Sequence, residues 1–210
     1  MKKQTVIVFL GLFLLATEIF SEEGSSKEVW LKPGLLSVDV MHKGKPVKLI
    51  RNQNRKNKIV EFFQPTYRGK IQPMHPFAPH AVQTIGELDM IDYLVKKSAG
   101  DESIIVIDSR TPAWVKRGTI PGAVNIPFTG FSETERTAEI MEEQFNVQVG
   151  EAWDFSYAKT LVMFCNGIWC AQSPTAIRKL LAMGYPASRI KYFRGGMQNW
   201  QALGLTVVKP

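Results

Sequence analysis

Cys165 and Cys170 are the only two cysteines among the 210 residues of the chain, and four residues separate them. A thiolate is a nucleophile, and two neighbouring thiols can also exchange a disulfide. Cys165 ends the apolar run Leu161-Val-Met-Phe164. A short loop containing Gly167 follows, and Ser173-Pro174 then opens an amphipathic segment. The run reads as a buried parallel strand. Ser173 reads as the N-cap of the next helix, with proline at its first position. That pattern puts Cys165 at the carboxyl end of a strand, facing a helix N-terminus, in the crevice where open α/β sheets bind ligands. Loop amides and the helix dipole favour an anion there, so a low-pKa thiolate is expected at Cys165. The bland alternative, an inert buried thiol, fits that position poorly. Cys170 is either a second reacting thiol or a packed small hydrophobe. A cross-link closing so small a loop stabilises a fold little, which favours chemistry over stapling.

The residues around the thiols limit the chemistry. Asn166, Gly167, Ile168, Trp169, Ala171, Gln172 and Ser173 carry no charge. They are candidates for substrate contact through amides and small polar groups, with Gln172 and Ser173 also suited to helix capping. Trp169 either lines the mouth of the site or caps the core. A phosphatase loop needs arginine six residues after its cysteine to hold phosphate bidentately, and Ala171 stands there. Asp108 and Arg110, at the end of another apolar run, read as a structural ion pair. His42, His75 and His80 are scattered, show no metal-ligand spacing and read as surface residues, so no metal is expected. The basic stretch Lys43 to Lys58 reads as a solvated hairpin face, or as an attractor of an anionic substrate, a membrane surface or an acidic partner. Its poor aromatic interleaving argues against nucleic acid.

The positioning elements divide the chain in three. Residues 1–21 begin with Lys2-Lys3, continue through an apolar stretch from Thr5 to Thr17 and end near Ser21. This is the layout of a secretory signal peptide, with an uncleaved membrane anchor as the alternative. The expected destination is the periplasm, without stable membrane insertion after cleavage. Residues 22–83 read as a β-rich extension and linker. Leu35–His42 and Val47–Ile50 flank the turn Lys43-Gly-Lys-Pro46, Ile59–Phe63 offers a third strand, and prolines crowd the stretch from Pro65 to Pro79. So small a sheet needs packing on the rest for stability. Residues 84–210 alternate helix and strand. The expected helices are Thr84–Lys97 (capped by Thr84 and Glu87), Pro112–Arg117, Ser132–Phe145, Pro174–Met183 and Met197–Leu203. The expected strands are Ile104–Asp108, Ala123–Pro127, Leu161–Phe164 and Ile190–Phe193. Such alternation predicts a doubly wound, mainly parallel sheet. Hydrophobic residues make up 45% and charged residues 21%, enough for one good core, and the net charge is +7.

Three motifs in order resemble the rhodanese-like domain. Ile107-Asp108-Ser-Arg110 through Gly118-Thr-Ile-Pro121-Gly122-Ala-Val-Asn125-Ile-Pro127 is similar to its first signature. Phe164-Cys165 and the following helix resemble its catalytic loop, and Tyr192-Phe-Arg194-Gly195-Gly196 through Trp200 its closing signature. The resemblance implies a parallel sheet flanked by helices, here with a small N-terminal β-extension. It implies a sulfurtransferase or sulfane-sulfur carrier, without cofactor, in which Cys165 holds a persulfide. The sulfur would come from a small sulfur-containing anion such as thiosulfate or from a protein persulfide, and pass to a thiol acceptor. The chain departs from the family pattern in three places. Thr119 replaces a common histidine, with an effect expected only at the surface. The loop lacks charge, which weighs against a dianionic donor. Cys170 adds a thiol that is suited to resolving the persulfide. Two further classes fit the same residues: a thiol–disulfide oxidoreductase using Cys165 and Cys170, and a rhodanese-like module that binds a redox protein partner.

Overall fold

The computed structural model describes residues 28–67, 69–148 and 150–209. The expected signal segment, 1–21, lies outside them. Among the described residues, no helix is long and apolar enough to cross a membrane.

The chain begins as a hairpin of β1 (Ser37–His42) and β2 (Lys45–Ile50), paired antiparallel. Lys43 and Gly44 both have positive φ at its turn, as a two-residue hairpin loop requires. Then follow β3 (Gln83–Ile85), α1 (Glu87–Ser98), β4 (Ile104–Asp108), α2 (Pro112–Val115) and β5 (Val124–Asn125). The remainder is α3 (Thr134–Phe145), β6 (Thr160–Phe164), α4 (Gln172–Ala182), β7 (Ile190–Phe193) and α5 (Gly196–Ala202). Five strands form one parallel sheet in the order β3-β7-β6-β4-β5. Every residue of β4 is buried, as its unbroken Ile-Ile-Val-Ile run demands of a strand covered on both faces. Apolar side chains of α3 and α4 pack on one face and those of α1 and α5 on the other.

The β-extension completes the second layer. Val40 and Leu49 are buried with Met90, Ile91 and Leu94 of α1. The C-terminal segment fastens the hairpin from its other edge: Thr206 N–H donates to the Ile50 carbonyl, and Asn52 N–H to that of Gly204 at 2.7 Å. Gly122, at φ +81°, lies against the hairpin, where a Cβ would come within 2.6 Å of Val40 Cγ1.

Several elements differ from the expectations, each for a non-local reason. Thr84 caps no helix. It pairs with Tyr192 in the parallel ladder, and Gly86 is the N-cap, its N–H bonded to Asp89 Oδ2 at 2.9 Å. The expected border between residues 83 and 84 thus falls inside β3. Helix α4 starts at Gln172 with Ala171 as N-cap, so Ser173 lies within the first turn. Pro174 is tolerated there because first-turn amides have no intrahelical acceptor. Ile59–Phe63 is no strand; Glu61–Phe63 form a 3₁₀ turn that buries Phe63, with the Phe62 ring edge-on to Trp114 at 4.9 Å.

Candidate active site

The sheet register brings the reacting residues to one edge. Asp108 is paired with Phe164 and Phe164 with Phe193, so Ser109, Cys165 and Arg194 leave three adjacent strands at the same level. Cys165 begins a loop that turns back where Cys170 N–H bonds the Gly167 carbonyl at 2.9 Å. The N-terminus of α5 holds this loop: Met197 N–H donates to the Cys165 carbonyl (3.0 Å) and Gln198 N–H to that of Asn166 (2.9 Å). So close an approach requires Gly196, which sits at φ +56°, and where a Cβ would stand 2.4 Å from the Cys165 carbonyl oxygen.

A buried ion pair supports the loop from below. Arg110 Nη2 donates to Asp108 Oδ2 at 2.6 Å and Arg110 Nε to Oδ1 at 2.9 Å. Arg110 also donates to the Gly118 carbonyl at 2.6 Å and reaches Asn166 Oδ1 at 3.4 Å. Asn166 Nδ2 in turn points at Cys170 Sγ, 3.9 Å away. Thr119 is buried and donates its hydroxyl to Asp108 Oδ2 at 2.7 Å, which corrects the expectation of a mere surface contact. The carboxylate has acceptor capacity left after binding arginine, and a hydroxyl fills it.

Aromatic side chains and the linker roof the loop. Trp169 is half-buried and stacks on Tyr67, with ring centroids 3.8 Å apart and planes 11° from parallel. Its Nε1–H donates to Gln198 Oε1 at 2.9 Å. The Ile168 carbonyl accepts from Gln72 N–H at 2.8 Å, and Arg194 Nε holds the Gln72 carbonyl at 2.8 Å. Gly167 is buried; Ala171 is exposed.

Both thiols are buried and unbonded, Cys165 1% exposed and Cys170 4%. Cys165 Sγ lies 3.6 Å from the Cys170 carbonyl oxygen, and the two thiols are close enough to influence each other's ionisation. The first proton leaves this pair easily. The Cys165 thiol, together with the Asn166 and Gln172 amides and the Asn166 side chain, holds Cys170 down to about 6 against the cost of its burial. The second proton is retained: burial and then the adjacent Cys170 push Cys165 well above the ordinary thiol range, only partly offset by the Ser173 N–H. The expected low-pKa thiolate therefore resides on Cys170 in the resting pair. Helix-terminus amides reach both sulfurs, but the more deeply buried thiol keeps the proton.

Three buried polar atoms here have no partner: Gln172 Oε1, Ser173 Oγ and Tyr192 Oη. Ser173 faces Cys165. The Tyr192 hydroxyl is pushed far up by burial first and then by the charge of both cysteines. Unpartnered buried hydroxyls beside a sulfur nucleophile are donors suited to an anion that arrives during reaction. Tyr192 was illegible as a site residue because it sits in an apolar strand; only its pairing with Met163, two residues before Cys165, reveals it. Tyr67, Gln72 and Gln198 are likewise remote in sequence from the loop they touch. Of the histidines, His75 and His80 are exposed as expected, but His42 is buried, with Nδ1 accepting from Gly122 N–H at 3.2 Å. It lies on the buried end of β1, which docking of the hairpin covers.

Fold and site together define an α/β protein with a thiol loop at the carboxyl edge of a parallel sheet. The rhodanese-like domain model matches residues 91–203, and the chain belongs to that family. It is 28% identical over 126 residues to a sulfurtransferase of Allochromatium vinosum, covering 60% of this chain and 97% of that protein. It is 27% identical over 116 residues to the HTH-type transcriptional regulator Rv0324 of Mycobacterium tuberculosis, covering 55% of this chain but only 42% of the regulator. Among solved structures, the human single-domain sulfurtransferase TSTD1 is 17% identical, with a TM-score of 0.40, over 58% of this chain and 96% of that one.

Proposed function

We propose that the protein is an exported sulfurtransferase that carries sulfane sulfur as a persulfide on Cys165, with Cys170 as its proton acceptor and resolving thiol. The placement of two buried thiols in one tight loop, with Cys165 Sγ 3.6 Å from the Cys170 carbonyl oxygen, carries this reading. As Cys165 sulfur attacks the outer sulfur of the donor, its proton passes to the Cys170 thiolate. With thiosulfate, Cys165 gains the S–S bond and the S–S bond of the donor breaks. Sulfite leaves with that electron pair. The products are the Cys165 persulfide anion, the Cys170 thiol and sulfite. The Ser173 N–H and hydroxyl and the Tyr192 hydroxyl then serve as donors to the new anion. Transfer to an external thiol returns Cys165 to its starting state. Without such an acceptor, Cys170 attacks the inner sulfur of the persulfide. That step forms a Cys165–Cys170 disulfide and releases hydrosulfide, the sulfane sulfur being reduced as the two thiols are oxidised. The aromatic cluster of Tyr67, Trp114 and Trp169, with the Arg117 guanidinium over Trp114, favours a donor that joins an organic body to a negative charge, such as a small organic persulfide. The basic-then-apolar pattern of residues 1–21 supports export to a periplasm.

The same pair of thiols favours a second reading, a dithiol–disulfide oxidoreductase. Intact mass spectrometry separates the two. The expected result on incubating reduced protein with thiosulfate, or with glutathione persulfide, is a gain of one sulfur (about 32 Da) that maps to Cys165 and is removed by cyanide. Only a loss of two hydrogens, without sulfur uptake from either donor, would replace transfer by redox exchange.

A further inference from the structure

The charges of the chain are sorted by face. Every charged residue from 43 to 58, through the hairpin turn, β2 and the loop after it, is a lysine or an arginine. On the opposite face of the sheet, α3 exposes Glu135, Glu139, Glu142 and Glu143 against Arg136 alone. A molecule charged in this way turns its hairpin side toward an acidic partner. Two recesses indent that side. One, of about 240 Å³, is lined by Lys43 and Lys116; the other, of about 270 Å³, by Lys58, Arg117 and Lys209; no acidic residue lines either. All five side chains are exposed, and among the described residues none has an acidic partner. The second recess also holds the amides of Asn52, Asn57 and Gln201, which can donate to a carboxylate. This surface is continuous with the thiol site. The Arg117 guanidinium lies over the rings of Phe62 and Trp114, 4.2 and 5.0 Å from their centroids. Trp114 is 6.4 Å from Trp169, which stands in the loop between Cys165 and Cys170.

We propose that this surface docks an acidic protein that bears the accepting thiol, with its carboxylates seated in the two recesses and its thiol presented at the Trp169 loop. The acceptor role rests on the sulfur-transfer reading; the acidic docking does not. Aromatic rings and arginine beside cations are the makings of a protein interface, the rings for affinity and the charges for encounter and register. A bilayer offers a flat plane of headgroups that leaves recesses empty, whereas carboxylates projecting from a folded partner fill them. Register matters here because both thiols are nearly enclosed, 1% and 4% exposed. In the transfer step the acceptor sulfur bonds to the outer persulfide sulfur and the bond from that sulfur to Cys165 breaks. Cys165 keeps the electron pair and takes up the proton of the acceptor thiol, so the product is the acceptor's persulfide anion.

Peptides with a central cysteine flanked by glutamates, glutamines or lysines serve as acceptors for protein loaded beforehand from glutathione persulfide. Loading is verified by intact mass before transfer is timed. At low salt the glutamate peptide should be sulfurated at least about tenfold faster than the glutamine peptide, the low end of electrostatic steering. Salt of about 1 M should erase the difference, because it screens exposed charges beyond about 3 Å. The triple variant Lys58→Glu, Lys116→Glu and Lys209→Glu, at exposed positions that leave the core intact, should prefer the lysine peptide instead. Serine versions of the peptides, followed by tryptophan fluorescence, read docking without chemistry, and the glutamate one should bind the native protein more tightly than the variant. Native rates within about threefold for all three peptides, well short of steering, would overturn the docking surface. So would a glutamate preference that survives the triple reversal. Binding to phosphatidylglycerol vesicles that the variant loses, with its peptide preference unchanged, would overturn it in favour of a membrane contact. Native protein that takes up no sulfur, yet binds the serine version of the glutamate peptide and loses it in the variant, would uphold the surface and overturn the transfer reading.

Discussion

At the residue scale, the thiol pair determines when the protein reacts. Cys165 is the buried sulfur at the strand end, yet the easily lost proton belongs to the pair and leaves Cys170 as the thiolate at about pH 6. Reaction at Cys165 therefore depends on moving its proton to a base in the same loop. In Cys170→Ser that base is gone, while the burial that raises Cys165 remains. The pH profile of sulfur loading should fall away below about 6 in the native protein. In the variant the fall should begin on the alkaline side of the ordinary thiol range, about 8.5. Loading at neutral pH should drop accordingly, and an unchanged profile would leave Cys170 without a role as base. Tyr192 invites a different substitution. Its hydroxyl is buried without a partner in the resting site, so Tyr192→Phe removes an unsatisfied group rather than a bond. Thermal stability should hold or rise while the rate of sulfur loading falls about tenfold, the share of one anion-stabilising donor at the low end of its range. A variant equal to the native protein in both respects would place the hydroxyl outside the reaction.

At the element scale, the site rests on the junction of β6, its loop and the first turn of α5. Two amides of α5 hold the Cys165 and Asn166 carbonyls, and only the missing side chain of Gly196 allows the approach. Gly196→Ala sets a methyl against backbone and forces a left-handed conformation on alanine. The strain alone is of order 1–3 kcal/mol, and the carbonyl contact adds to it. Urea unfolding should show a loss of at least about 2 kcal/mol, with slower sulfur loading even where the protein is still folded. These elements also show what can be read from sequence. The run Leu161–Phe164, the cysteine and the amphipathic stretch after it are neighbours in the chain, so strand, loop and helix were legible there. The buried run Ile104–Asp108 was legible for the same reason. The pattern at Thr84 fits a helix cap as well as a strand, and only the ladder to Tyr192, far along the chain, decides between the two. Ser173 fits a cap pattern because proline follows it, although Ala171 already supplies the first helical carbonyl, to Thr175 N–H. The burial of Thr119 and His42 was invisible because each is covered by a partner remote in sequence.

At the scale of the whole molecule, the β-extension and the rhodanese-like domain share one core. Val40 and Leu49 are 1% and 0% exposed, packed among α1 side chains, while the C-terminal segment bonds to β2 on one side and to Thr119 on the other. Thr119 holds Asp108, Asp108 holds Arg110, and Arg110 reaches Asn166 beside the nucleophile. The extension is therefore mechanically continuous with the loop through packing and hydrogen bonds rather than appended to a finished domain. Leu49→Ala leaves a cavity at the centre of that junction and should cost about 2–5 kcal/mol. For a chain of this size each kcal/mol lowers the melting temperature by about 2–4 °C, so a shift of several degrees is expected. The decisive feature is cooperativity. If extension and domain form one unit, calorimetry shows a single transition that moves as a whole in Leu49→Ala, and circular dichroism of the helices follows the same curve. A split into two transitions, with only the earlier one displaced, would show instead that the domain folds and holds its thiol loop without the hairpin.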